Sequence, residues 1–330
     1  MELPQLVLNM SSLDQQPAPD PAMTYDVLII GGGPAAMSAV IYTARKLLKV
    51  ALITKDYGGQ VAWTSQIENY LGFQSITGKE LTDRFIEQLK QFSIPVQLGQ
   101  KVVAVRKNGE LFESRIESGL SFRSRTVIIA TGKRDRPLGV PGETELVGRG
   151  VAYCATCDAP FYKDKRVAIA GGGNSAITAA LDLIKLASHV TLINIAPDWQ
   201  ADPIMIEDVH KAKDRVTFLN QRRILSIEGK DRVTGVRIRD LTNDGEGLLP
   251  VDGVFVEIGL VPNSEAVKDL VKLTAAGEVL VDCTCHTSVP GVFGAGDVTT
   301  VPHKQIIIAG GEGAKAALAA HEYLLKNRLI

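Results

Sequence analysis

Asp26-Val27-Leu28-Ile29-Ile30-Gly31-Gly32-Gly33-Pro34-Ala35-Ala36 returns further along the chain as Arg166-Val167-Ala168-Ile169-Ala170-Gly171-Gly172-Gly173-Asn174-Ser175-Ala176. Each copy is a short apolar strand that runs into a glycine turn and then an Ala-rich helix. A second strand follows each helix, Val50-Ala51-Leu52-Ile53 and Val190-Thr191-Leu192-Ile193. This is the βαβ nucleotide-binding unit, present twice. Its first glycine makes the tight turn and its second lets the backbone approach a pyrophosphate. The third position, Ala36 or Ala176, must be small so that helix and strand pack closely. The helix N-terminus then offers unpaired N–H groups and partial positive charge to phosphates. A lone match is weak, because a plain turn gives the same letters. Two in the same strand–turn–helix context specify an α/β protein with two Rossmann-like domains.

Other segments close that fold. Val127-Ile128-Ile129-Ala130-Thr131-Gly132 reads as a buried strand ending in a small-residue turn, and Val292-Phe293-Gly294-Ala295-Gly296-Asp297 as another with an acid just past its end. Such an acid either accepts hydrogen bonds from sugar hydroxyls or caps a helix. Ile306-Ile307-Ile308-Ala309 leads through glycines into an Ala-rich C-terminal helix. Gly58-Gly59-Gln60 and Gly72 punctuate an extended linker carrying Glu68-Asn69-Tyr70. Residues Lys79 to Phe92 carry apolar side chains at helical spacing, and Val102 to Val105, Leu111 to Ile116 and Val233 to Asp240 alternate as antiparallel strands do.

The 330 residues suffice for about two domains. A hydrophobic share of 45% and a charged share of 22% are those of a soluble enzyme. A net charge of -1 and 5% aromatics argue against nucleic acid and acidic membranes as partners. Residues 1–23 lack a basic start and a continuous apolar core, so they read as a mobile tail and not a signal peptide. No run reaches the length of a membrane span, and the expected location is the cytoplasm.

Four cysteines in this length are not a disulfide scaffold. Cys154-Ala155-Thr156-Cys157-Asp158 places two sulfurs within bonding distance in a turn or first helical turn, where a helix N-terminus lowers a thiol pKa. Asp158 is placed to exchange a proton with the leaving thiolate as the disulfide opens. Zinc is the competing reading, since Cys283-Thr284-Cys285-His286 holds the remaining sulfurs and a histidine. The simpler reading puts Cys283 and Cys285 on one face of a strand, packed as small apolar residues, and no metal site is expected.

With these residues in view, residues 24–330 resemble the low-molecular-weight thioredoxin reductases. The markers are the two glycine turns, Gly58-Gly59-Gln60, Glu68-Asn69-Tyr70, Ala130-Thr131-Gly132, Cys154-Ala155-Thr156-Cys157-Asp158 and Gly296-Asp297. The stretch Thr299 to Ile308 also looks like the flavoprotein subunit of alkyl hydroperoxide reductase, whose thioredoxin-like extension residues 1–23 are too short to supply. The resemblance implies an FAD domain in two pieces, residues 24–132 and 258–330, with a nucleotide-and-dithiol domain, 133–257, inserted. It carries FAD contacts to Gly31, Gly33, Pro34, Ala35, Gly59, Gln60, Asn69, Thr131, Gly132, Asp297, Lys304, Gln305 and Ile306. Second-nucleotide contacts fall on Gly171, Gly173, Asn174, Ser175 and Asn194. Cys157 would face the flavin, Cys154 would exchange with a thioredoxin-like protein or other thiol carrier, and Asp158 would transfer the proton. The implied assembly is a homodimer whose inserted domain alternates between two orientations.

The chain departs from that family at the second site. NADPH-using reductases carry a His-Arg-Arg motif after the strand matching Val190 to Ile193, and those arginines hold the 2′-phosphate. NADH-using relatives place an acid at the strand's end to grip the ribose. Here the segment is Asn194-Ile195-Ala196-Pro197-Asp198-Trp199-Gln200, with neither. A retained glycine cradle with neutral ribose-side residues fits the diflavin-linked disulfide oxidoreductases, with a second FAD in place of NADPH. NADH-dependent and ferredoxin-dependent reductases are the alternatives, and a flavin-linked redox sensor is the non-enzymatic one.

Overall fold

The computed structural model describes residues 16–64 and 67–330. Residues 16–23 correct the expectation of a mobile tail reaching Met23. Pro17 accepts the Val96 N–H at 2.9 Å, and Arg123 donates to the Ala22 carbonyl at 2.8 Å, so this segment is pinned to the domain. Residues 1–15 lie outside the described part.

Strand β1 (Thr24–Ile30) is buried along nearly its whole length, as a central strand covered on both faces must be. It feeds α1 (Pro34–Arg45) and β2 (Val50–Thr54), the first βαβ unit. Helix α2 (Gly78–Leu89) follows, started by a reciprocal Thr77–Glu80 capping box. Then come β3 (Val96–Leu98), β4 (Val102–Asn108), β5 (Leu111–Ile116) and β6 (Ser121–Ile129). After β6, the short β7 (Lys133–Asp135) leads out of the first sheet.

The second unit begins with β8 (Val151–Ala152), the one-turn helix α3 (Ala155–Asp158) and β9 (Arg166–Ala170). Its βαβ core continues through α4 (Asn174–Leu183) and β10 (His189–Ile193), then α5 (Pro203–His210) and β11 (Val216–Leu219). An antiparallel three-stranded layer of β12 (Arg222–Gly229), β13 (Val233–Asp240) and β14 (Glu246–Leu249) precedes β15 (Gly253–Val256). Strand β16 (Leu260–Pro262) pairs antiparallel with β7, making a two-stranded ribbon between the sheets. The chain then re-enters the first sheet at β17 (Val292–Gly294), parallel to β6, and ends on α6 (Ile306–Lys326).

The first sheet runs β3-β2-β1-β6-β5-β4 with β17 on β6, and the second β11-β10-β9-β15-β8. The second is parallel throughout, and the first is a Rossmann-type parallel arrangement to which β5 and β4 add antiparallel beyond β6. Helices α1 and α6 cross closely, since a Cβ at Gly313 would overlap the Ala35 carbonyl. Among the described residues, no helix is long and apolar enough to cross a membrane.

Two local expectations change. Gly59–Trp63 forms a 3-10 helix in place of an extended linker, because the Gly58 N–H docks on the Gly32 carbonyl at 2.8 Å. Cys283 and Cys285 do not share a strand face. Asp282 accepts the Thr284 and His286 N–H groups, both at 2.9 Å, and curls the chain into a turn that exposes Cys283 and buries Cys285.

Candidate active site

The first glycine turn sits where β1 ends. Gly31 adopts φ +120°, and a side chain there would collide with the Ala130 carbonyl at the end of β6. Gly33 precedes α1 without any side-chain cap, and Pro34 opens the helix with no N–H of its own. Helix geometry leaves the Ala35 and Ala36 N–H groups without intrahelical acceptors, which suits them to an anion.

Other expected FAD residues gather around this turn. Gly59 faces Gly33, and Gly296 packs against Ala35, which places Asp297 beside the helix start. Asp297 caps no helix; burial raises its pKa while Lys304 and Lys133 pull it down. Asn69 donates to Gln305, the N-cap of α6, at 3.1 Å, joining two segments far apart in sequence just before Ile306.

Three further expected contacts also bond protein groups. Gln60 donates to Asp135 at 2.8 Å, and the Thr131 hydroxyl to the Asn263 carbonyl at 2.7 Å beside Gly132. The Lys304 ammonium bonds the Thr299 and Val301 carbonyls. A closely approached glycine backbone, uncapped N–H groups and a half-buried carboxyl at the rim together fit a dinucleotide such as FAD.

The second turn repeats the geometry, with Gly171 at φ +145° against the Glu257 carbonyl and open space around Gly173. Helix α4 is again uncapped. Asn174 and Asp202 hold each other across the starts of α4 and α5, the Asp202 N–H reaching Asn174 at 2.8 Å, while Ser175 is exposed.

The ribose side is different. Asn194 is buried, accepts the Ala196 N–H at 3.1 Å and donates to the Asp198 carbonyl at 2.9 Å, so its amide organises its own loop. The loop then folds back, with the Gln200 N–H on the Gly172 carbonyl at 2.8 Å. Arg222, whose N–H reaches the Asn194 carbonyl, commits its guanidinium to Asp240 at 2.7 Å and to the Asn220 carbonyl.

Cys154 and Cys157 are joined in a disulfide with Cα atoms 5.3 Å apart. Both are half-buried at the start of α3. That helix is a single turn, so its dipole is small; the direct device is the Cys157 N–H, 3.2 Å from Cys154 Sγ and placed to stabilise a thiolate there. Burial pushes Asp158 up to about 6, which brings the carboxyl near the pH where it can give and take a proton. Tyr162, one turn on, is pushed up to about 12 by burial and by the Asp158 charge.

The second cysteine pair takes a different part. The Cys285 thiol donates to Glu312 at 3.2 Å, and burial with that carboxylate pushes it up to about 12, leaving it unreactive.

Sequence reasoning missed two half-buried carboxyls near this site, Asp135 at the ribbon and Glu257 beyond β15. Neither belongs to a local motif, because strand pairing alone brings them in.

The chain belongs to the pyridine nucleotide-disulphide oxidoreductases, whose family model matches residues 25–320. Its fold is thioredoxin reductase-like. Thioredoxin reductase from Streptococcus pyogenes MGAS5005 overlays at a TM-score of 0.86 with 37% identity, covering 93% of this chain and 100% of that one. Lactococcus lactis thioredoxin reductase, in its FR conformation, covers 92% of this chain and 100% of its own at 33% identity, but with a TM-score of 0.64. The alkyl hydroperoxide reductase of Staphylococcus aureus has a component that is 43% identical over 303 residues, 92% of this chain and 60% of that protein. The chain thus spans about 60% of the length of such relatives.

The glycines give a first expected outcome. Gly31→Ala forces an unfavourable φ worth about 1–3 kcal/mol on top of the overlap with Ala130. The variant should purify with the flavin of this first site lost and a lowered melting temperature. Gly171→Ala should leave the flavin at the first site in place. The ratio of flavin to protein absorbance checks both.

Proposed function

We propose that the chain exchanges electrons between an FAD held at Gly31 to Ala35 and the Cys154–Cys157 disulfide, and passes them to or from a thioredoxin-like protein or other thiol carrier. FAD supplies the two-electron chemistry when bound. Cys157 is the sulfur directed to the flavin, Cys154 the one that exchanges with the carrier, and Asp158 the proton-transfer group. The observation that carries this reading is the disulfide at the start of α3, with a backbone N–H on Cys154 and a carboxyl of raised pKa behind Cys157.

The inserted unit, residues 133–257, turns about the β7–β16 ribbon to present the dithiol alternately to flavin and carrier. The unequal overlays on two reductases at similar coverage support such a motion. We place the working form as a cytoplasmic homodimer. A carrier serving peroxide reduction is the second reading of the partner, favoured by the relatives at 43% identity.

At the Gly171 cradle we propose a second FAD in place of a nicotinamide nucleotide. Support comes from Asn194, whose amide is closed within its own loop, and from Arg222, which is held by Asp240. Neither is left to grip a 2′-phosphate or a ribose hydroxyl. Flavin released by denaturation and quantified against protein should give two FAD per chain. A value of one would remove the second flavin and leave the dithiol reading standing.

A further inference from the structure

Strand β15 lies between β9 and β8 in the second sheet, all three parallel. The sheet order reverses here, because β10 and β11 extend from β9 one way while β15 and β8 extend the other. Ligands and reacting groups of open α/β sheets gather beyond the strand ends at such a point. The register is Phe255 opposite Ala152 and Val256 opposite Ala170. Continued past the strand ends, it sets Glu257 beside Cys154 on one flank and Gly171 on the other.

Contacts bear this out. The Glu257 N–H bonds the Ala170 carbonyl at 2.8 Å, and its own carbonyl sits against Gly171. Its carboxyl lies toward the Ala155 N–H, the residue after Cys154, which favours the ionised form. Among the described residues Glu257 has no ion pair. The charged group that faces it is Asp135 of the ribbon, held by Gln60. Of the other ionisable groups on the elements packed here, Tyr153 donates its hydroxyl to Glu143, and Asp158 and Tyr162 follow the dithiol.

We propose that Glu257 is a positioning residue for the dithiol: the strand register sets it alongside the start of α3 and, when ionised, its charge opposes thiolate formation at Cys154 and Cys157. Burial, with Asp135 adding to it, pushes the Glu257 carboxyl up to about 7. Below that pH the group is neutral and the thiols ionise without its charge. Above it, a like charge at close range disfavours the thiolate. The dithiol is thereby held back as pH rises, and anything seated on the Gly171 turn shares a residue with it. This rests on the reading that Cys154 and Cys157 are the working pair.

The test is alkylation of the dithiol-reduced full chain by iodoacetamide from pH 6 to 9, followed on the Cys154–Cys157 peptide by mass spectrometry. Glu257→Gln keeps an acceptor for Ala155 and removes the charge. Its alkylation rate should match the parent at pH 6 and exceed it about tenfold at pH 8, as one like charge shifts a neighbouring pKa by about one unit. Superimposed profiles from a folded, flavin-retaining E257Q would overturn the assignment. Should E257Q not fold, Asp158→Asn removes the other carboxyl near the sulfurs. Its profile must still bend near pH 7, and a single smooth ionisation there overturns the assignment equally. Alkylation needs neither the flavin nor the carrier, so this result is independent of whether the dithiol exchanges electrons with FAD.

Discussion

Cys157→Ser should leave a folded, flavin-bearing protein whose turnover of a small disulfide such as dithiobis(nitrobenzoate) falls by about 10³-fold or more. The reason is stoichiometric. The disulfide at the start of α3 takes up two electrons and two protons as its S–S bond opens to two thiols, and a serine oxygen cannot form that bond. Cys285 cannot stand in, because it is buried against Glu312 with its pKa pushed up to about 12. Cys283 is exposed, but it lies in a turn of the first unit. Turnover within about tenfold of the parent would show that electrons leave the flavin by another route. Flavin absorbance and the melting curve of the same preparation separate lost chemistry from lost fold.

Asp158→Asn should slow dithiol exchange by about 10²-fold, the usual scale for removing one positioned acid–base group. It should also stabilise the protein at alkaline pH. Burial raises the folded-state pKa from 3.8 to about 6, so the folded chain holds the neutral form more readily than the unfolded one does. Stability contributed by neutral Asp158 is complete below about pH 3.8 and is lost as pH rises through about 6. Asparagine escapes that loss. At pH 8 the variant should therefore be more stable by about 1–2 kcal/mol, allowing for partial solvent exposure, with the difference vanishing below pH 4. Denaturant melts at pH 4 and pH 8 read the sign directly. A variant that loses activity but is less stable at pH 8 would mean that the aspartate is held ionised.

Much of this site is visible in the letters because glycine, proline and cysteine act through the backbone over a few residues. Gly31 and Gly171 are needed for a positive φ beneath a neighbouring carbonyl, and that demand travels with the motif. The Cys154–Cys157 spacing likewise fixes a bond that the fold then makes.

What depends on strand pairing is not visible. Glu257 lies far along the chain from Cys154, and only the β8–β15 register brings it alongside. The neutral residue at position 194 was legible, but not that its amide turns inward to the Ala196 and Asp198 backbone. Cys285 is buried, as a small apolar residue would be. The turn that separates it from exposed Cys283 depends on Asp282, an acceptor whose use for two backbone N–H groups no spacing rule announces. Residues 16–23 looked like a tail because their docking partners, Val96 and Arg123, are remote in sequence.

The measurement closest to the central claim is a thiol count before and after anaerobic photoreduction of the purified flavoprotein, taken in denaturant so that all sulfurs respond. The chain has four cysteines, of which Cys283 and Cys285 are free and Cys154 and Cys157 are paired. The expected result is two thiols per chain in the oxidised protein and four once the flavin has been reduced, with both new thiols on the Cys154–Cys157 peptide. A flavin fully reduced while the count stays at two would contradict electron exchange between flavin and dithiol, and would leave the pair as a passive or sensing element.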